Sequence, residues 1–148
     1  MKRLVAVDGS EQALDAARHV LRRRACGLNA DFVLATVREP TVLYEMVLPP
    51  TPKVIERLSG AVGHRALEGA EALFRAAGLP FERQIGSGKV APTLPAIAQA
   101  HGCDGIVLGA RGPGAVHGAL LGSVSQAILQ AAAMPVTVVR RIEAEGPV

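Results

Sequence analysis

Two short stretches of this chain hold the residue types that could grip a polyanion. The first is Gly109-Ala110-Arg111-Gly112. Nine residues later comes Gly122-Ser123-Val124-Ser125. Glycines in a loop let backbone amides approach a ligand with no β-carbon in the way. Gly122–Ser125 also opens an apolar-periodic segment, so it reads as a helix start. The first amides of a helix lack internal partners and sit at the positive end of its dipole. A phosphate placed there meets several N–H donors at once. The dipole alone contributes about 0.3–1 kcal/mol, so amide and hydroxyl bonds must supply most of the affinity. On residue types alone, a plain loop followed by an ordinary serine cap fits equally well. A third candidate is Asp8, in Val7-Asp8-Gly9-Ser10. Its carboxylate could accept from two hydroxyls, or it could simply be the turn residue ahead of a helix.

Other phosphate loops fail on spacing. Gly88-Lys89 is followed by Val90 and position 83 is Arg83, so the glycine–lysine loop of the P-loop proteins is missing. Gly112, Gly114 and Gly118 are wrongly spaced for the dinucleotide fingerprint and come late in the chain. No Ser/His/Asp or Cys/His arrangement and no metal-ligand spacing can be placed. No catalytic residue is therefore assigned.

These residues need a scaffold that brings them together. Leu4–Val7, Phe32–Val37, Phe81–Ile85, Ile106–Leu108 and Pro135–Val139 read as strands. Helical periodicity runs from Ser10 toward Gly27, from about Lys53 to Ala77, over residues 91–101, and from Ser123 to Ala133. Ser10 is the expected cap of the first helix, and Gly27 and Gly78 are expected terminators. Gly60, Gly63 and Gly69 are expected to weaken the second helix, by up to about 1 kcal/mol each where exposed. The alternation predicts an α/β fold: a doubly wound, mainly parallel five-stranded sheet with helices on both faces. In such sheets the ligand crevice lies beyond the carboxyl ends of the strands, where strand order switches. Asp8, Val37, Gly86 and Gly109 should meet at that edge. Residues 41–52, with Pro49, Pro50 and Pro52, read as an irregular connection, and 141–148 as a frayed tail after a single domain over 1–140.

Composition narrows the functional classes. The 148 residues are 49% hydrophobic and 20% charged, which excludes a disordered or fibrous protein. A chain of this length buries roughly 68–70% of its unfolded surface without staples. Three Phe, one Tyr and no Trp imply an aliphatic core and no stacking platform for single strands. A net charge of +3 mildly favours an anionic ligand but is too dispersed for DNA, and Arg22-Arg23-Arg24 reads as a solvated helix end. No nucleic-acid partner is expected. No run of 18 apolar residues is present, so no membrane span is expected. Cys26 and Cys103 are expected to be buried, reduced thiols in a cytoplasmic protein.

Taken together, Val7-Asp8-Gly9-Ser10, Asp104-Gly105-Ile106-Val107-Leu108-Gly109, Gly109-x-x-Gly112 with nine residues before Gly122-Ser123, and Pro135–Val139 carry a likeness over nearly the whole chain. The chain resembles the universal stress protein family, in particular its ATP-binding members with that glycine motif. The resemblance implies a Rossmann-like fold, of the adenine nucleotide α-hydrolase kind. It implies ATP, or ADP or AMP, as ligand, with Mg²⁺ or Mn²⁺ carried by the phosphates. Ala6 and Val7 would border the adenine, with the Val37 backbone reading its edge, and Leu108 would be a further nucleotide-binding residue. Asp8 would hold the ribose. Gly109 and Gly112 would form the ribose and phosphate loop, and Gly122, Ser123, Val124 and Ser125 the phosphate grip. Arg111 would either neutralise phosphate or lie solvated. His117, inside the glycine loop, reads as an exposed loop residue or as a switch or phosphate contact. The resemblance also implies a homodimer through Val136, Thr137, Val138 and Val139. Three readings stay open: a nucleotide-dependent stress regulator, which the intact motif favours; a slow ATPase or autophosphorylating protein; and a nucleotide-free dimeric module.

Overall fold

The computed structural model describes residues 1–39, 52–110 and 122–140, with side chains described from Gly63 onward in the segment that begins at 52. Arg111, Gly112 and His117, the proline-rich stretch from 41 to 51 and the tail at 141–148 lie outside the described residues.

The elements alternate strictly: β1 (Lys2–Ala6), α1 (Glu11–Ala25), β2 (Asp31–Arg38), α2 (Pro52–Ala76), β3 (Glu82–Ser87), α3 (Val90–Ala100), β4 (Gly105–Gly109), α4 (Ser123–Ala131) and β5 (Val136–Val139). The five strands form one sheet in the order β3-β2-β1-β4-β5, and every pairing is parallel. The expected α/β architecture is therefore the observed one, with the sheet wholly parallel.

Side-chain alternation along the central strands explains why helices are needed on both faces. Val5, Phe32, Leu34 and Val107 pack with Ala13, Ala17 and Val20 of α1 and Leu67, Ala70 and Phe74 of α2. Leu4, Val33, Ala35, Ile106 and Leu108 pack on the other side with Leu94 and Ala98 of α3 and Ile128 of α4. The core is mostly aliphatic as expected, but its three phenylalanines meet: Phe74 lies edge-on to Phe32 at 5.5 Å and to Phe81 at 5.9 Å between ring centres.

Helix ends follow the local sequence. Ser10 caps α1, its hydroxyl accepting from the Ala13 N–H at 3.2 Å. α1, α2 and α3 each end with a glycine at positive φ, Gly27, Gly78 and Gly102, and the N–H two residues past the cap folds back to the last turn, as Leu28 to the Arg23 carbonyl at 2.9 Å.

One expectation needs correction, the burial of both cysteines, and the α2 glycines differ from one another. Gly63 is buried, and an added β-carbon would come within 2.7 Å of Ile85 Cγ2; at Gly69 one would come within 3.0 Å of Leu14 Cδ2. Gly63 therefore sits where a side chain would force Ile85 to shift, whereas Gly69 is exposed and faces only the flexible end of Leu14. Cys26 is exposed at the end of α1, where no element covers it, and only Cys103 is buried.

Candidate functional site

The order β3-β2-β1-β4-β5 makes β1 and β4 neighbours from which the chain winds in opposite directions. Helices leaving their carboxyl ends must therefore diverge, and a cleft opens between them. The structure has one here, of about 390 Å³. Its floor is apolar, from Ala6, Val37, Leu94, Leu108 and Ile128. Asp8 is its only ionisable side chain among the described residues.

Of the residues picked from sequence, Ala6, Val7, Asp8, Val37, Leu108, Gly109, Gly122, Val124 and Ser125 line this cleft. They come from four separate parts of the chain. Ser123 is exposed on the first turn of α4 and lies outside the lining. Gly86 is at the same sheet edge but two strands away, paired with Val37 on β2, and is also outside it. The lining further includes Ser10, Gln12 and Ala13 from α1, Val90 from α3, and Ala110. None of these was singled out as a site residue. Their signal lay in topology, because the helices after β1 and β3 must start beside the same crevice.

Three helix starts surround the cleft and differ in how they are satisfied. α1 has Ser10 as its cap. At α3 the Val90 N–H donates to Glu39 Oε1 at 3.2 Å, a carboxylate supplied from the end of β2. α4 starts from Gly122 with no side-chain cap, and its first ladder bond runs from the Gln126 N–H to the Gly122 carbonyl at 3.0 Å. An ordinary serine cap is thus excluded at α4. Ser125 is buried there, while Val124 is 42% exposed.

Asp8 sits in a tight turn. Its Oδ1 accepts from the Ser10 N–H at 2.8 Å and from the Ser10 hydroxyl at 2.5 Å. Gly9, at φ +87°, makes the turn, and a β-carbon there would meet the Ala66 backbone at 3.3 Å. Gly109 is glycine for a similar reason: a β-carbon would overlap the Gln12 carbonyl of α1. Chemically, the cleft offers an apolar floor, one carboxylate and one helix start whose N-cap residue makes no side-chain cap bond. Among the described residues no three or more His, Cys, Asp or Glu converge to hold a metal ion.

A family model described as the Universal stress protein family matches residues 1–140. The chain belongs to the universal stress protein family. The universal stress protein YxiE of Bacillus subtilis (strain 168) is 32% identical over 149 residues, spanning 94% of this chain and 98% of that protein. Among solved structures, a universal stress protein in complex with cAMP is 25% identical with a TM-score of 0.64, covering 94% of this chain and 95% of its own. An Arabidopsis thaliana universal stress protein family protein with AMP bound is 20% identical with a TM-score of 0.69, covering 99% and 95%. The fold is that of universal stress proteins. No helix among the described residues is long and apolar enough to cross a membrane.

Proposed function

We propose that this universal stress protein binds an adenine nucleotide in the β1/β4 cleft and acts as a nucleotide-dependent regulator in stress response. The observation that carries the reading is that nine of the residues to which the resemblance points line one cleft at the strand-order switch. The apolar floor suits the flat face of a base, bordered by Ala6, Val7 and Leu108 with the Val37 backbone at its edge. Asp8 accepts from ribose hydroxyls. Phosphates take the α4 start at Gly122, Ser123, Val124 and Ser125, where the N-cap glycine makes no side-chain cap bond, joined by Gly109, Arg111 and Gly112. Mg²⁺ or Mn²⁺ arrives with the phosphates, held by them and by water. The names of two structural neighbours, one with AMP and one with cAMP, agree with this ligand class.

Turnover is not part of the proposal. Hydrolysis needs a positioned base, and Asp8, assigned here to the ribose, is the sole ionisable group among the described lining residues. At most a slow ATPase results.

A homodimer through Val136, Thr137, Val138 and Val139 completes the reading. β5 is an edge strand, bonded in the sheet to β4 alone, and a bare apolar edge is an aggregation liability that a second copy removes.

The test is direct. The purified protein is denatured and any released nucleotide identified, then ATP, ADP and AMP are titrated with and without Mg²⁺ by calorimetry. Micromolar binding of an adenylate supports the proposal. No carried nucleotide and no heat would overturn it in favour of a nucleotide-free module. Sedimentation at several concentrations checks the dimer.

A further inference from the structure

We infer that Ser10 is a positioning residue for Asp8, and through it a determinant of ribose selectivity. The inference rests on the reading of Asp8 as the ribose contact. Asp8 is exposed, and a free aspartate there would lose rotamer freedom on binding, which weakens affinity. Here that freedom is already removed. The Ser10 N–H at 2.8 Å and the Ser10 hydroxyl at 2.5 Å both donate to Oδ1. The hydroxyl proton has a defined direction, because the same Oγ accepts from the Ala13 N–H at 3.2 Å and so turns its lone pair to the helix. Ala13 is itself buried in the core, so the chain of contacts runs from the packed helix through Ser10 to the carboxylate.

The consequence is an asymmetric carboxylate. Two donors fill Oδ1, while Oδ2 has no partner among the described residues. A sugar hydroxyl is received by Oδ2, and the fixed geometry lets the site tell a ribose from a 2′-deoxyribose. Because Asp8 is exposed, water can pair with Oδ2 when the hydroxyl is missing, so the discrimination is that of one hydrogen bond and not of a buried, unpaired group. Gly9, at φ +87°, forms the turn across which Ser10 donates back to Asp8.

Variants separate this role from helix capping. Ser10→Thr keeps both the cap and the donor. Ser10→Ala loses the cap and the hydroxyl donor and leaves only the backbone N–H on Oδ1. Ser10→Asp still caps the Ala13 N–H but has no proton to give Asp8. Each folded variant, checked by circular dichroism and melting, is titrated with AMP and with 2′-deoxy-AMP, and the ratio of affinities is read. The wild type and Ser10→Thr are expected to prefer AMP by about tenfold, a ratio typical of one well-made hydrogen bond. In Ser10→Ala and Ser10→Asp the ratio is expected to fall below about threefold. A full ratio in Ser10→Asp would overturn the role of Ser10 while leaving the Asp8 reading standing. A wild type that binds AMP without discriminating would overturn both the role of Ser10 and the ribose reading of Asp8. A wild type that binds neither would overturn the nucleotide proposal and this inference with it.

Discussion

The carbonyl oxygen of Gln12 occupies the space that a β-carbon on Gly109 would need. The first turn of α1 is pressed against the carboxyl end of β4, and only a bare α-carbon permits it. Gly109→Ala must therefore push backbone against backbone, with no flexible side chain to yield. Overpacking of this kind costs about 1–3 kcal/mol, and the upper end is expected here because helix and strand must part. Urea unfolding of Gly109→Ala checks it. A loss under about 0.5 kcal/mol, the range of ordinary surface changes, would show that the approach is looser than described.

That pair also marks what could be read from the sequence. The glycine at 109 was legible, and so was its place at a strand end. Its reason was not: the sequence pattern offered ligand access, whereas the contact that requires glycine comes from α1, almost a hundred residues earlier. Strands and helices were legible because Leu4-Val5 and Ile106-Val107-Leu108 are covered on both faces, and because Ser10, Gly27 and Gly78 are local signals. Long-range closeness was not. Gly63 reads as a weak point of a helix in the sequence, and only the structure places Ile85 against it. Glu39 satisfying α3 across 51 residues has no local signature at all.

Gly122 behaves differently from Gly109. Its backbone, φ −62° and ψ 157°, is open to any residue. Gly122→Val should thus fold, losing about 1 kcal/mol at most from a poorer helix start. Adenylate binding should fall below detection by calorimetry, because the valine side chain stands where phosphate meets the α4 amides. Gly122→Ser should gain a few tenths of a kcal/mol as a better cap. Normal nucleotide binding by Gly122→Val would move the phosphate site elsewhere.

Glu39→Ala removes the acceptor at the start of α3. The contact is exposed, so the expected loss is about 0.5–1 kcal/mol, the usual scale for an acceptor and negative charge at a helix start. Glu39→Gln keeps an acceptor without the charge and should recover about half. Thermal melts in low and high salt check the division, since only the charge contribution is screened.

His19 gives the protein a pH dependence of definite sign. Burial is the main cause that holds its imidazole below the ordinary value of 6.5, with the positive charges of Arg23 and then Arg22 adding to it. The folded state thus resists a proton that the unfolded chain accepts. As pH falls below about 6.5, the unfolded state binds more protons than the folded one, and stability declines until the folded imidazole also protonates. Between roughly pH 7 and 5 the melting temperature should therefore rise with pH. His19→Gln, which cannot titrate, should flatten that slope while leaving the melting temperature above pH 7.5 nearly unchanged. An identical slope in both proteins would assign the titration to another group.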